Sequence, residues 1–292
     1  MNWSPRREKF RAILSGSRCI HPGSVFDPLS ARIAEELGFE AGILAGSMAS
    51  LAVLGAPDLA VLTLSEFADL AHRIDRAAKL PVMVDADHGY GNALNVMRTV
   101  QELETAGVAA LSIEDTLLPE PFGGTGKAQF ISIEEGAGKM RAALVAWQDP
   151  ALAIFGRTGA MAVDTADAVK RIKAYADSGV DAIFLVGVTT RAQLETAASA
   201  VKIPLVLGGA AHGLVTPDEL AKMGFRIQLQ SYAPLIAAIR AVYDTLKALK
   251  DGTPPDKIPN LASGEMMKRL TRDADYRRWT KEFLGGVSGE RG

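Results

Sequence analysis

The chain has 292 residues, a length that fits one large domain, two ordinary ones, or a single barrel of about 250 residues. Apolar residues make up 48% and charged residues 23%, which supplies enough apolar side chain for a substantial core, so the chain need not be disordered. Lys and Arg total 32 against 34 for Asp and Glu, so the net charge of -2 gives no electrostatic reason to expect nucleic acid or an anionic membrane. A small-molecule partner fits better.

The N-terminal segment MNWSPRREKFRAILSGS mixes charges with apolar residues and holds no uninterrupted hydrophobic stretch of signal-peptide or membrane length. That points to the cytoplasm. Its basic run, Arg6, Arg7, Lys9 and Arg11, reads as a solvated helix face. Cys19 is the only cysteine, which excludes an internal disulfide and a thiolate zinc site and fits a reducing compartment.

Short β-branched or apolar runs then alternate with helical patterns to the end, the pattern of repeated strand-helix units around a parallel sheet. The predicted strands are Cys19–Val25, Ala41–Ala45, Pro81–Asp85, Ala110–Glu114, Leu152–Arg157, Ala182–Val186, Pro204–Leu207 and Arg226–Gln230. Helix starts are marked by Asp27 with Pro28 and by capping-box spacings at Thr63/Glu66, Ser132/Glu135 and Thr216/Glu219. Gly38, Gly107 and Gly179 stand where helices should stop. Eight units without an interior linker predict a closed (β/α)8 TIM-type barrel over residues 1–250, with an open doubly wound sheet as the alternative. After DGTPP at 251–255, helical periodicity resumes, so 251–292 reads as a helical extension. Its apolar residues Met266, Met267, Trp279 and Phe283 suit an oligomer contact.

In this architecture active sites lie at the carboxyl ends of the strands. PVMVDADHGYGN ends the third strand with Asp85 and Asp87, and ALSIEDT ends the fourth with Glu114 and Asp115. Acidic groups gathered on neighbouring strand ends repel unless a cation or protons compensate, and hard oxygen ligands suit Mg2+ or Mn2+. The competing reading is that some of them cap loops or pair with Arg or Lys. Gly46-Ser47 after the second strand can hold an anion. Arg157 ends the fifth strand, where it either grips a carboxylate or phosphate or pairs with an acidic neighbour. His88 can orient a carboxylate, transfer a proton, or simply be structural. His21, His72, His88 and His212 have no zinc-ligand spacing. Gly89, Gly91, Gly123, Gly124 and Gly126 match no phosphate-binding fingerprint and read as flexible loop.

VFDPLSARIAEELGF, ILAGS, VDADHGYGNALNVMRTVQELETAGVAALSIEDTLLP and the Arg157-Thr158 pair together resemble the phosphoenolpyruvate mutase/isocitrate lyase superfamily, and within it the oxaloacetate decarboxylase branch. The resemblance implies a barrel whose last helix is exchanged between subunits in a dimer of dimers. It implies a Mg2+ site and a 2-oxo acid substrate. By motif, Asp85 would be the principal metal ligand, with Asp87 and Glu114 supporting it. Ser47 would hold the substrate carboxylate, Arg157 would contact its oxygens, and Asp58 would be a further active-site carboxylate.

The departures from that pattern bear on the reaction. The loop PEPFGGTGKAQF has no thiol, unlike the lyases that carry a catalytic Cys there, and Cys19 belongs to the first strand. Where decarboxylase relatives tend to have Asn, Tyr-Gly-Asn and His, this chain has Gly159, GGAAHG and Tyr232. The expected activity is a Mg2+-dependent decarboxylase or carbon-carbon lyase acting on oxaloacetate or a related 2-oxo dicarboxylate. Tyr232, His88 or metal-bound water would supply a proton. Phosphonopyruvate hydrolase or mutase chemistry and a non-catalytic metabolite-binding barrel are the alternatives.

Overall fold

In the computed structural model, which describes residues 2–124, 126–209 and 213–285, strands and helices alternate as the sequence predicts. The strands are β1 (Gly23–Ser24), β2 (Gly42–Leu44), β3 (Val82–Asp85), β4 (Ala110–Glu114), β5 (Ala153–Thr158), β6 (Ala182–Leu185), β7 (Leu205–Leu207) and β8 (Phe225–Gln228). All neighbours pair in parallel in the order β1 to β8. The Ile20 amide donates to the Arg226 carbonyl and the Gln228 amide to the Ile20 carbonyl, both at 2.9 Å, which joins the last strand to the first and closes the barrel. The open-sheet alternative is thereby excluded.

The helices are α1 (Ser4–Ser15), α2 (Pro28–Glu36), α3 (Gly46–Leu54), α4 (Leu64–Ala77), α5 (Ala93–Ala106), α6 (Ile133–Ala146), α7 (Thr165–Asp177), α8 (Arg191–Ala200) and α9 (Pro217–Lys222), followed by α10 (Ala233–Lys250), α11 (Gly264–Leu270) and α12 (Asp273–Leu284). Asp27 caps α2, and Thr63/Glu66 and Thr216/Glu219 form reciprocal capping boxes on α4 and α9. Ser132 caps α6 by accepting from the Glu135 amide. Gly107 ends α5 in the left-handed conformation that the Cβ of other residues disfavours. None of the helices among the described residues is long and apolar enough to cross a membrane.

Two apolar layers hold the barrel. One lies between strands and surrounding helices and includes Phe67, Ile74, Leu103, Met140 and Tyr175. The other fills the barrel interior with Ile43, Met83, Phe155, Phe184, Val206 and Ile227, and Phe10 and Leu14 of α1 belong to it. Helix α1 thus plugs the amino end of the barrel, which corrects the reading of its basic run as a solvated face. Arg7 is 3% exposed and bonds the Val108 carbonyl at 3.0 Å and Asp149 at 2.8 Å. Arg11 pairs with Asp181 at 2.8 Å, while Lys9 alone of the four is exposed. A run on one face of a short helix becomes a set of anchors because its partners lie 69 to 170 positions away.

The chain divides into two compact units, Met1–Ala233 and Pro234–Gly292. In the second, Ile236, Ile239, Val242, Tyr243 and Leu246 of α10 are exposed. Ser263 caps α11, and Tyr276 meets Trp279 edge to face at 5.3 Å in α12.

Candidate active site

Strand period places the side chains of Ser112 and Glu114 on one side of β4, and register places Asp85 of β3 opposite Ser112 and Glu114 opposite Arg157 of β5. Asp85 and Glu114 are buried. Ser112 Oγ donates to Asp85 at 2.9 Å, and Thr116 Oγ1 to Glu114 at 3.0 Å. The Arg157 guanidinium reaches between the two carboxylates, pairing with Asp85 through Nη1 and with Glu114 through Nη2 at 3.3 Å. It also lies over the Phe184 ring, 5.4 Å from the centroid. Of the two readings of Arg157, the acidic pairing is thus present in the structure. Its Nε nevertheless finds no acceptor among the described residues.

Asp87 follows the end of β3 with a φ of 47°, a left-handed conformation that is costly for a side chain with a Cβ and tends to mark functional sites. Its carboxylate lies against the N-terminus of α3. A Cβ at Gly46 would come within 2.4 Å of Asp87 Oδ1, so glycine is required there for the two segments to meet. Ser47, in the first turn of α3, is partly exposed beside it. Burial, and then the charges of Asp85, Glu114 and Asp58, push the Asp87 carboxyl up to about 8, with Arg157 opposing. Burial also raises Glu114, again against Arg157. Asp58, exposed in the loop after α3, is raised by partial loss of water and by Asp85.

Four carboxylates therefore lie around one guanidinium, and burial first, with repulsion between carboxylates second, raises the carboxyls of Asp87, Glu114 and Asp58. A divalent hard cation suits this donor set, being all carboxylate oxygen with a surplus of negative charge. In the structure Arg157 stands between Asp85 and Glu114, and among the described residues no three His, Cys, Asp or Glu side chains converge on a metal position.

The remaining candidates are less closely tied to this cluster. His88 is buried, its ring 6.1 Å from that of Tyr90, and burial followed by Lys139 lowers its pKa to about 4. The imidazole is neutral at pH 7, which fits a structural residue better than an imidazolium acid. Tyr232 follows β8 and is 46% exposed. Asp115 turns away into the helix layer, accepting from Tyr175 Oη at 2.7 Å and Arg171 at 3.1 Å, so it is a structural carboxylate. Burial pushes the Cys19 thiol up to about 11, which disfavours a thiolate. A Cβ at Gly159 would meet only the Phe130 ring at 3.8 Å, an ordinary contact, so packing does not demand glycine there. In GGAAHG, residues 210–212, including His212, lie outside the described residues.

Sequence reasoning missed two residues, Ser112 and Lys139, and the packing role of Gly46. Ser112 was visible two residues before Glu114, on the same side of a strand. Lys139 was visible as a cation on the buried stripe of α6 that carries Gly136, Met140 and Ala143. The steric need for Gly46 had no local signal, because it arises from a residue on the next strand unit.

Residues 10–250 match the family model described as phosphoenolpyruvate phosphomutase. The chain belongs to that family. An oxaloacetate decarboxylase of Bradyrhizobium diazoefficiens is 56% identical over 286 residues, covering 98% of this chain and 99% of the relative. One from Rhodopseudomonas palustris is 57% identical, with the same coverage. Among solved structures of the phosphomutase fold, a phosphonopyruvate hydrolase complexed with oxalate and Mg2+ superposes with a TM-score of 0.84 at 28% identity, covering 96% of this chain and 99% of that one. These matches span the whole barrel.

Proposed function

We propose that the chain is an oxaloacetate decarboxylase that works with a divalent cation, Mg2+ or Mn2+. The observation that carries this reading is the set of carboxylates around Arg157, Asp85, Asp87 and Glu114 at the carboxyl ends of β3 and β4 with Asp58 in the loop after α3, in a chain 56% identical to a named oxaloacetate decarboxylase. Asp85 would hold the cation, with Asp87 and Glu114 beside it. When bound, the cation polarises the 2-oxo group and stabilises negative charge on its oxygen.

The chain's own groups divide the remaining work. The C3–C4 bond of oxaloacetate breaks, its electron pair moves toward the C2 oxygen as CO2 leaves, and C3 then takes a proton to give pyruvate. Arg157 places a permanent cation beside the cluster and has one donor, Nε, without an acceptor among the described residues. That positions it to draw charge onto the C2 oxygen as it develops. Ser47 and the first amides of α3 bind the C1 carboxylate, where the helix dipole favours an anion. Asp58, whose carboxyl is raised, and Tyr232, which is 46% exposed, are the proton carriers on the solvent side. His88, buried and neutral, shapes the loop that carries Asp87.

The same reading has the protein working in the cytoplasm as a dimer of dimers, with its last barrel helix exchanged between subunits. The exposed apolar residues of α10 support it. Mass in solution tests that part, and a monomer at micromolar concentration would refute it. The activity is tested by following pyruvate and CO2 from oxaloacetate with Mg2+ and with EDTA, each against a protein-free control because oxaloacetate decays by itself. Phosphonopyruvate belongs in the panel because of the hydrolase likeness. Phosphate release there with no pyruvate from oxaloacetate would move the chain to phosphorus-carbon cleavage, and no product from either would make it a binding protein.

A further inference from the structure

The loop that carries Asp87 is built from backbone conformations that most residues avoid. Asp87, Gly89, Tyr90 and Gly91 have φ of 47°, 78°, 60° and 146°. Such a run persists only where its surroundings over-determine it. Two backbone bonds contribute, from the Gly89 amide to the Ala86 carbonyl at 2.9 Å and from the Glu114 amide to the Asp87 carbonyl at 2.8 Å. The next two carbonyls are taken by side chains from two different helices. Lys139 Nζ of α6 donates to the His88 carbonyl at 2.9 Å, and Thr99 Oγ1 of α5 donates to the Gly89 carbonyl at 3.1 Å.

Both donors are deeply buried, Lys139 at 3% exposure and Thr99 at 0%. Lys139 forms no ion pair among the described residues. Glu135, one turn before it on α6, acts on it most strongly but only through space, and so do Glu114 and Asp115, which are paired with Arg157 and Arg171. An ammonium withdrawn from water, with its one hydrogen bond among the described residues made to a neutral carbonyl and its carboxylate neighbours beyond ion-pair distance, is a poor device for stability, since burial of a charge costs more than a single hydrogen bond returns. A buried apolar side chain of similar length would serve the fold as well or better. The bond to the His88 carbonyl is what such a side chain would lose.

We propose that Lys139 and Thr99 are positioning residues, a two-point clamp on the carbonyls of His88 and Gly89 that holds Asp87 left-handed, with its carboxylate against Gly46. The role given to Asp87 in cation binding rests on the proposed function, whereas the clamp itself is a property of the loop. Three variants of the full chain separate the possibilities. Lys139→Met keeps length and removes the donor, Thr99→Val keeps shape and removes the donor, and Thr99→Ser keeps the hydroxyl.

Hydrogen-deuterium exchange across 86–91 in the metal-free protein reads the loop, calorimetric titration with Mg2+ reads the site, and the thermal midpoint reads the fold. Exchange should quicken about tenfold in Lys139→Met and severalfold in Thr99→Val, with Thr99→Ser like the parent. The Mg2+ dissociation constant should rise about tenfold or more in Lys139→Met, the usual scale for residues that orient a ligand. The thermal midpoint of Lys139→Met should hold or rise. Unchanged exchange over 86–91 in a folded Lys139→Met protein would overturn the clamp, as would a lowered midpoint with exchange raised uniformly over the barrel. Should Lys139→Met fail to fold, the threonine pair decides, and equal exchange in Thr99→Val and Thr99→Ser is the adverse result. A parent protein that binds no Mg2+ would defeat the metal reading while the exchange measurement still judged the clamp.

Discussion

The two ends of the barrel handle charge in opposite ways. At the amino end, Arg7 meets Asp149 and the Val108 and Glu104 carbonyls, and Arg11 meets Asp181 and the Ala151 and Leu152 carbonyls, so cations are matched by acceptors. At the carboxyl end, Asp58, Asp85, Asp87 and Glu114 gather around the single guanidinium of Arg157 among the described residues, and Asp58, Asp87 and Glu114 hold their protons more tightly than usual. Matched charges fasten one element to another. Unmatched charges leave free energy to be recovered by whatever cation or substrate arrives, which is how a stable scaffold carries a reactive rim.

Breaking the matched end should cost stability and spare chemistry. Arg7→Ala leaves the Val108 and Glu104 carbonyls without their buried donor, while Asp149 keeps Ser4 and the Ala151 amide, and losing charge-assisted bonds of this kind costs about 1.5–3 kcal/mol. Chemical denaturation should show that loss, while kcat/KM of the folded fraction stays near that of the parent. Asp85→Ala is the converse. Loss of an electrostatic group at the reacting centre is expected to lower kcat by about 10²–10³-fold, with circular dichroism unchanged. Metal-dependent turnover that survives in this variant would remove Asp85 from the site.

Arg157→Lys sharpens the contrast, because it keeps the charge and discards the planar fork. Losing a charge-assisted contact of roughly 1.5–3 kcal/mol lowers kcat/KM about ten- to a hundredfold. A fully active variant would leave Arg157 with its acidic pairing only.

Asp75 of α4 is the exception at the amino end. It is 1% exposed, and neither carboxyl oxygen has a hydrogen-bond partner among the described residues. Burial pushes its carboxyl well above the ordinary range, with Arg6 and Arg7 opposing. The folded chain therefore holds a proton that the unfolded chain releases above about pH 4, so this residue's contribution to stability falls as pH rises toward the folded value. Asp75→Asn abolishes that titration. Its denaturation midpoint should exceed the parent's by more at pH 8 than at pH 5, a gain on the order of 1 kcal/mol. An equal shift at both pH values would show that Asp75 does not titrate in this way.

The periodic parts of the molecule were readable from sequence because strands and helices write their period locally. Strand β4 spans the predicted Ala110–Glu114, and most others differ by a residue at an end. The first strand differs more. Within Cys19–Val25, Ile20 bridges to Ile227 and Gly23–Ser24 pairs with β2, but Pro22 between them has no amide to donate. The carboxylates were readable as polar residues at strand ends. Their sharing of Arg157 was not, since it depends on register between strands about 40 positions apart or more. Gly89 read as flexible, yet a Cβ there would sit 2.4 Å from the Val96 side chain, so its role is close packing in a held turn. Long-range partners decide such cases, and a single sequence does not name them.

Phe10 stacks beneath the strands, 6.1 Å from the Phe155 ring, with Met83 and Phe184 filling the space above. The barrel is therefore a vessel with a sealed floor. A small molecule that reaches the carboxylates must come and go by the same mouth, so traffic is single file, and a departing product stands in the path of its replacement.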